Sequence, residues 1–188
     1  RLPEDGDGFI ADLHASKTRY YVDTRGRGAV PLRPGVERLL QAARKEKLRL
    51  AIVTTTTPDN VTALLEHSFS VPAMDWFEVI AAGSVVPKKK PAPDIYTYTL
   101  EQMGLSPDAC IAIEDSLNGL QSAAAAGVAS LITVNPYTAK QDFSGALAVL
   151  DQLGEPGQPC HLLAGDSAPG DMVDVAYLRQ LHQRMVAA

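Results

Sequence analysis

The sequence has only two cysteines, Cys110 and Cys160, far apart in the chain. Two such residues make neither a disulfide framework nor a zinc site, and they fit a reducing cytoplasm. Cys110 lies in the apolar run CIAIE and is expected to be a buried thiol. No apolar stretch is long enough to span a bilayer. Positive charge is not in excess either: 17 Lys and Arg against 22 Asp and Glu give a formal net charge of −5. That excludes a basic field for capturing nucleic acid, yet leaves room for local positive charge beside a phosphorylated small molecule. The first residues, RLPEDGDG, are acidic and lack an initiator Met. They make no signal peptide, and the chain is expected to start inside a longer protein. Internal repeats and low-complexity tracts are also missing.

What is present suits one compact α/β domain with room for a small appendage: 188 residues, 46% of them hydrophobic. Residues 48–55 (LRLAIVTT) form an apolar, β-branched run and predict a buried strand. Thr57 and Pro58 then predict a helix start, with Thr as cap and Pro at the first helical position. Residues 77–82 (FEVIAA), 110–114 (CIAIE) and 129–134 (ASLITV) predict three more strands. Between them, Pro93-Asp94 opens a helix that runs through Met103 and stops at Gly104. Leu117 to Ala126 predicts a small-residue helix closed by Gly127. Upstream, Arg33 to Lys47 is amphipathic, with Val36, Leu39, Leu40 and Ala43 in helical register. Residues 9–24 also read as a helix. After Gly154 a Pro/Gly linker leads to a C-terminal helix near 171–186. Strands alternating with helices imply right-handed crossovers and a parallel sheet, with ligands at the carboxyl ends of the strands.

Three of those strand ends carry chemistry. The first is Thr54-Thr55-Thr56-Thr57, where a hydroxyl and the amides of the turn can donate to a phosphate oxygen. The plain alternative is a β-branched strand end followed by a helix cap. The second is Lys88-Lys89-Lys90-Pro91-Ala92-Pro93-Asp94, in which a stiff Pro-x-Pro turn holds a lysine just before a helix. Such a cation can offset charge on a phosphoryl group, and the alternative is a solvated basic loop. The third is Glu114-Asp115-Ser116, two carboxylates at the end of a buried strand, a hard oxygen site of the kind Mg²⁺ prefers. Capping by Asp115 or Ser116 explains one of these residues and leaves Glu114 unexplained. Gly119, early in the next helix, suggests a close backbone approach.

Hydroxyl, lysine and paired acids, each after a strand, resemble in that order motifs II, III and IV of the haloacid-dehalogenase (HAD) superfamily. KKPAPDIY and IAIEDSLNGLQSAAAAG look like the subgroup that includes β-phosphoglucomutase. VTTTTPDNV, VNPYTAKQDFSGALAVLDQLGEP, HASKTRYYV and DVAYLRQLH narrow the resemblance to the CbbY group and extend it over nearly the whole chain. CbbY proteins are phosphatases of xylulose-1,5-bisphosphate, associated with the Calvin cycle. The resemblance implies a three-layer, Rossmann-like α/β core with a mostly parallel sheet. It implies three regions: the remnant of a helical cap over 1–30, the core over 31–153, and a C-terminal linker and helix over 154–188. It implies Mg²⁺ as cofactor and a small sugar phosphate as partner, with no nucleic acid and no membrane. The protein is expected to be a monomer in the cytoplasm, or in the plastid stroma of a photosynthetic eukaryote.

Carried over by position, Thr54 matches the hydroxyl that binds the transferring phosphoryl group. Lys90 matches the lysine that steadies nucleophile and phosphate. Glu114 and Asp115 match the acids that hold Mg²⁺, directly or through water. Thr55, Thr56 and Asn60 are expected beside the phosphate. Lys17 falls in the cap-like segment, where it reaches a distal phosphate or is a solvated helix lysine. Motif I, a strand ending in a pattern like Asp-x-Asp-Gly-Thr that carries the nucleophile, is not found. Asp5-Gly6-Asp7-Gly8 imitates it without a preceding apolar strand. The central strand is therefore expected to be absent and the chain alone inactive. A phosphomutase of the β-phosphoglucomutase kind and a non-catalytic phosphate- or protein-binding module are the competing readings.

Overall fold

The computed structural model describes residues 6, 8–10, 12, 13, 16 and 31–187. Of the helix expected over 9–24, residues 9, 10, 12, 13 and 16 are helical, and the others lie outside the described residues, as does Lys17. Asp5 and Asp7 lie outside them as well.

From residue 31 strand and helix alternate as far as β4 (Ala129–Thr133), after which two more strands follow before the last helix. The order is α1 (Val36–Lys45), β1 (Ala51–Val53), α2 (Pro58–His67), β2 (Val79–Ala81), α3 (Asp94–Met103), β3 (Ile111–Glu114), α4 (Leu117–Ala125), β4 (Ala129–Thr133), β5 (Ala148–Leu150), β6 (Leu162–Ala164) and α5 (Val175–Ala187). Local chemistry sets most of these bounds. Pro58 stands at the first position of α2, although Thr57 makes no side-chain cap bond. Gly104 ends α3 in the left-handed conformation, with φ at 61°, which glycine adopts without steric cost. Ser116 caps α4, its Oγ accepting from Gly119 N at 3.2 Å.

The strands form two sheets among the described residues. β1 and β2 pair in parallel, Val53 opposite Ala81. β3, β4 and β5 are parallel neighbours, and β6 closes that sheet antiparallel to β5. The two sheets share a helical layer: Ala81 of β2, Ala112 of β3, Ile95 and Tyr96 of α3, and Ala123 of α4 pack in one cluster. On the opposite face Leu39 of α1, Leu131 of β4, Leu150 of β5 and Leu181 of α5 form a second. The architecture is thus three-layered, helix on sheet on helix, as expected for a parallel α/β fold.

Two findings depart from the residue-level reading. Cys110 is only half-buried, because it precedes β3 at the sheet's amino end; partial burial still pushes its thiol up from the ordinary value. Residues 154–187 do more than link and cap: they supply β6, and Cys160, Val173, Val175 and Tyr177 lie inside the second cluster. Among the described residues no helix is long and apolar enough to cross a membrane.

Candidate active site

Parallel strands deliver their carboxyl ends to one side of a sheet, and here the ends of β1 and β3 meet through one lysine. Lys90 leaves β2 by the Lys-Pro-Ala-Pro turn, whose Lys90–Pro91 peptide is cis. Ser122 of α4, wholly buried, ties that turn down by donating to Ala92 O at 2.7 Å. The turn aims the ammonium inward. Lys90 Nζ donates to Val53 O, the last carbonyl of β1, at 2.9 Å. It also donates to Glu114 Oε1, on the last residue of β3, at 2.5 Å. Thr54 and Asp115 follow those two residues directly, so hydroxyl, ammonium and acid pair share one end of the molecule. Lys88 and Lys89, by contrast, stay in solvent.

The ion pair is nearly enclosed, with side-chain exposures of 11% for Lys90 and 9% for Glu114. Burying two opposite charges is tolerable only when further hydrogen bonds serve them. Val53 O serves the ammonium, and Tyr96 serves the carboxylate, its hydroxyl donating to the same Oε1. The ring of Tyr96 lies beneath the ammonium, 5.1 Å from centroid to Nζ. Burial, reinforced by the negative Glu114, pushes the Tyr96 phenol far above its ordinary value, so it remains a donor throughout the working pH range. The other carboxylate oxygen, Oε2, rests where a side chain on residue 119 would stand: a Cβ on Gly119 would overlap it. The close approach read from the sequence at Gly119 is this one.

Asp115 has a different environment. It is exposed, and Asn135 Nδ2 donates to its Oδ2 at 3.3 Å. Ser116 has taken the capping role, so capping does not occupy Asp115. Among the described residues no group of three or more His, Cys, Asp or Glu is gathered for a metal. Glu114 and Asp115 therefore make two carboxylates with divided tasks, one turned in on Lys90 and one turned out.

On the β1 side, Thr54 N donates to Ala81 O at 2.9 Å and continues the pairing with β2. Thr54 Oγ1 accepts from Thr56 N at 3.2 Å, and Asn60 Nδ2 donates to Thr56 Oγ1 at 3.0 Å. Asn60 is buried, and its Oδ1 has no partner among the described residues. Thr55 is exposed. The structure thus gathers Thr54, Thr56 and Asn60 in one turn, adjoining the carbonyl that Lys90 holds.

Sequence reasoning missed Tyr96, Asn135 and Gln141, whose Oε1 accepts from Leu117 N at 2.8 Å at the start of α4. It also missed Arg33. The Arg33 guanidinium donates to Thr133 O, Val134 O and Asp151 O, and so anchors the approach to α1 across the ends of β4 and β5. Tyr96 left one signal: a phenol in the apolar stripe of a helix needs a partner for its hydroxyl. Asn135 and Gln141 left none, because only the return of a loop over α4 makes them neighbours.

Comparison with known proteins identifies the family. A profile of haloacid dehalogenase-like hydrolases matches residues 3–127. Protein CbbY of Rhodobacter capsulatus is 54% identical over 140 residues, covering 74% of this chain and 62% of its own. The plasmid CbbY of Cupriavidus necator is 43% identical over 187 residues, covering 96% of this chain and 72% of its own. A crystal structure of a CbbY mutant from Rhodobacter sphaeroides, in complex with xylulose-(1,5)bisphosphate, superposes with a TM-score of 0.72 at 43% identity. That match covers 76% of this chain and 64% of the crystallised one. The chain thus spans less than two thirds of the R. capsulatus and R. sphaeroides proteins, and by the family match over most of its length it belongs to the haloacid dehalogenase-like hydrolases, with CbbY proteins as its relatives.

Proposed function

We propose that this chain is the larger part of a Mg²⁺-dependent phosphatase of a sugar bisphosphate resembling xylulose-1,5-bisphosphate, working through an aspartyl-phosphate intermediate. The observation that carries this reading is the Lys90 ammonium held between the ends of β1 and β3. The R. sphaeroides CbbY complex supports the choice of substrate.

An ammonium has three donors, and two are engaged. The third N–H is left for a phosphoryl oxygen, while the positive charge itself would offset the attacking carboxylate. Thr54 Oγ1 accepts from a backbone amide, so its own proton is free to be donated to another phosphoryl oxygen. Thr55, Thr56 and Asn60 would add contacts beside it, and Lys17 is kept as a candidate for a distal phosphate. The attacking carboxylate comes from a strand beyond the described residues. In the sheets described here β1 and β3 each have one unpaired edge. A parallel strand entering between them would pair with both and bring its own carboxyl end to Lys90. Its first aspartate would attack phosphorus, and a second would act as acid and then as base when water hydrolyses the acyl phosphate.

Local charge balance supports a divalent cation. Lys90 offsets Glu114 and leaves Asp115 uncompensated, and an incoming phosphate adds more negative charge. Asp115 is the carboxylate placed to meet Mg²⁺, with Glu114 behind it and Asn135 holding one of its oxygens. Bound there with ligands from the added strand, the cation would offset charge on the phosphoryl oxygens. Asp115→Asn, in a protein that carries the completing strand, keeps the shape and removes the charge. Turnover of sugar bisphosphate is expected to vanish while the melting temperature holds. Turnover that survives at ordinary Mg²⁺ would overturn the metal assignment.

A further inference from the structure

Lys90 and Glu114 are not held by charge alone. Tyr96, 6% exposed on the first turn of α3, touches both members of the pair. Its hydroxyl donates to Glu114 Oε1, and its ring supports the ammonium from 5.1 Å. Beside an anion a phenol can only donate, so the bond fixes where Oε1 lies. Oε2 occupies the space that the missing Cβ of Gly119 leaves open, so the glycine admits this carboxylate pose. Tyr96 and Lys90 thus share Oε1, and the ammonium bonded to it at 2.5 Å depends on where the hydroxyl holds that oxygen. Asp115, next in sequence, is exposed and has no such clamp from α3.

We propose that Tyr96 is a positioning residue for phosphoryl transfer: its hydroxyl locks Glu114 onto Lys90, so that the one uncommitted N–H of Lys90 faces the space between the ends of β1 and β3. This rests on the phosphatase reading above. Without the hydroxyl, Glu114 is free to turn toward solvent, and the ammonium follows it. The ring alone holds the ammonium near its place but leaves its donors unaimed. The effect belongs to the chemical step, because the hydroxyl is directed at Glu114 and the ring is buried, so substrate affinity is spared.

The test is Tyr96→Phe in the protein that carries the completing strand, because Phe keeps the ring and its packing. The value of kcat is expected to fall about 10- to 100-fold, the range for losing a hydrogen bond to a charged group. KM should stay within about threefold and the melting temperature within a few degrees. In a Glu114→Gln background the same substitution should add less than about twofold, because both act through one contact. The side-chain ¹⁵N–¹H resonance of the Lys90 ammonium, sharpened by its hydrogen bonds in the native protein, should broaden or disappear. Native kcat in the variant, equal losses in both backgrounds, or an unchanged Lys90 resonance overturns the proposal. If the native protein splits no sugar phosphate, the phosphatase reading falls first. The Lys90 resonance then still decides whether Tyr96 holds the pair.

Discussion

Ile113 and Leu131 are register partners on adjacent parallel strands, both apolar and on the same face of one sheet. Leu131 is wholly buried and Ile113 is 42% exposed. The difference is one of place. Leu131 stands on β4, between β3 and β5, and packs with Leu39 of α1 and Leu181 of α5. Ile113 stands on β3, whose other edge has no strand among the described residues. β1 repeats the pattern, with all three residues half-buried, whereas every residue of β5 is buried. Among the described residues one half of the core is finished, and the other presents two unpaired edges where the candidate site residues lie. A strand buys its burial from neighbours, so an apolar run reads alike in both places until those neighbours are known.

The largest effect should come from filling the gap. Residues 1–188 alone are expected to release phosphate from a sugar bisphosphate at least ~10⁴-fold more slowly than a protein carrying the completing strand and its aspartates, the scale of losing a nucleophile. A phosphate-release assay on both proteins measures it. A comparable rate from residues 1–188 would mean that the unfinished half is already a working site.

The next effect concerns the residue that joins the two edges. In the longer protein Lys90→Ala should lower turnover about 10²- to 10³-fold, the usual cost of removing one preorganised charge donor. The same variant leaves Glu114 buried with only Tyr96 as donor, so some loss of stability should accompany it. A loss of turnover under about tenfold would reduce Lys90 to scaffold, and the contrast between the two halves would then be structural only.

How much of this could be read from residues alone follows the same division. The helix bounds at Pro58, Gly104 and Gly127 were legible because proline and left-handed glycine act within a turn. Lys90 was legible because its Pro frame is local. β5 and β6 were not legible as strands: three residues give no period, and β6 exists only through its pairing with β5 across a loop. Tyr96 and Asn135 meet Glu114 and Asp115 through packing between α3 and β3 and through the loop after β4, which no spacing encodes. The division of labour between the two acids was likewise hidden. Adjacent residues in a strand point to opposite sides, but which side holds the ammonium depends on where β1 ends.

The smallest effect is also the most direct measure of the contrast. In residues 1–188, Leu131→Ala should cost about 2–5 kcal/mol by denaturant unfolding, because it leaves a cavity among α1, β5 and α5. Ile113→Ala should cost under about 1 kcal/mol, since much of that side chain already meets water. In a protein with the completing strand the second value should rise toward the first, because the same isoleucine would then lie beside a paired neighbour on each side. If Ile113→Ala costs the same in both proteins, no strand covers that edge, and the sheet of the longer protein is completed somewhere other than between β1 and β3.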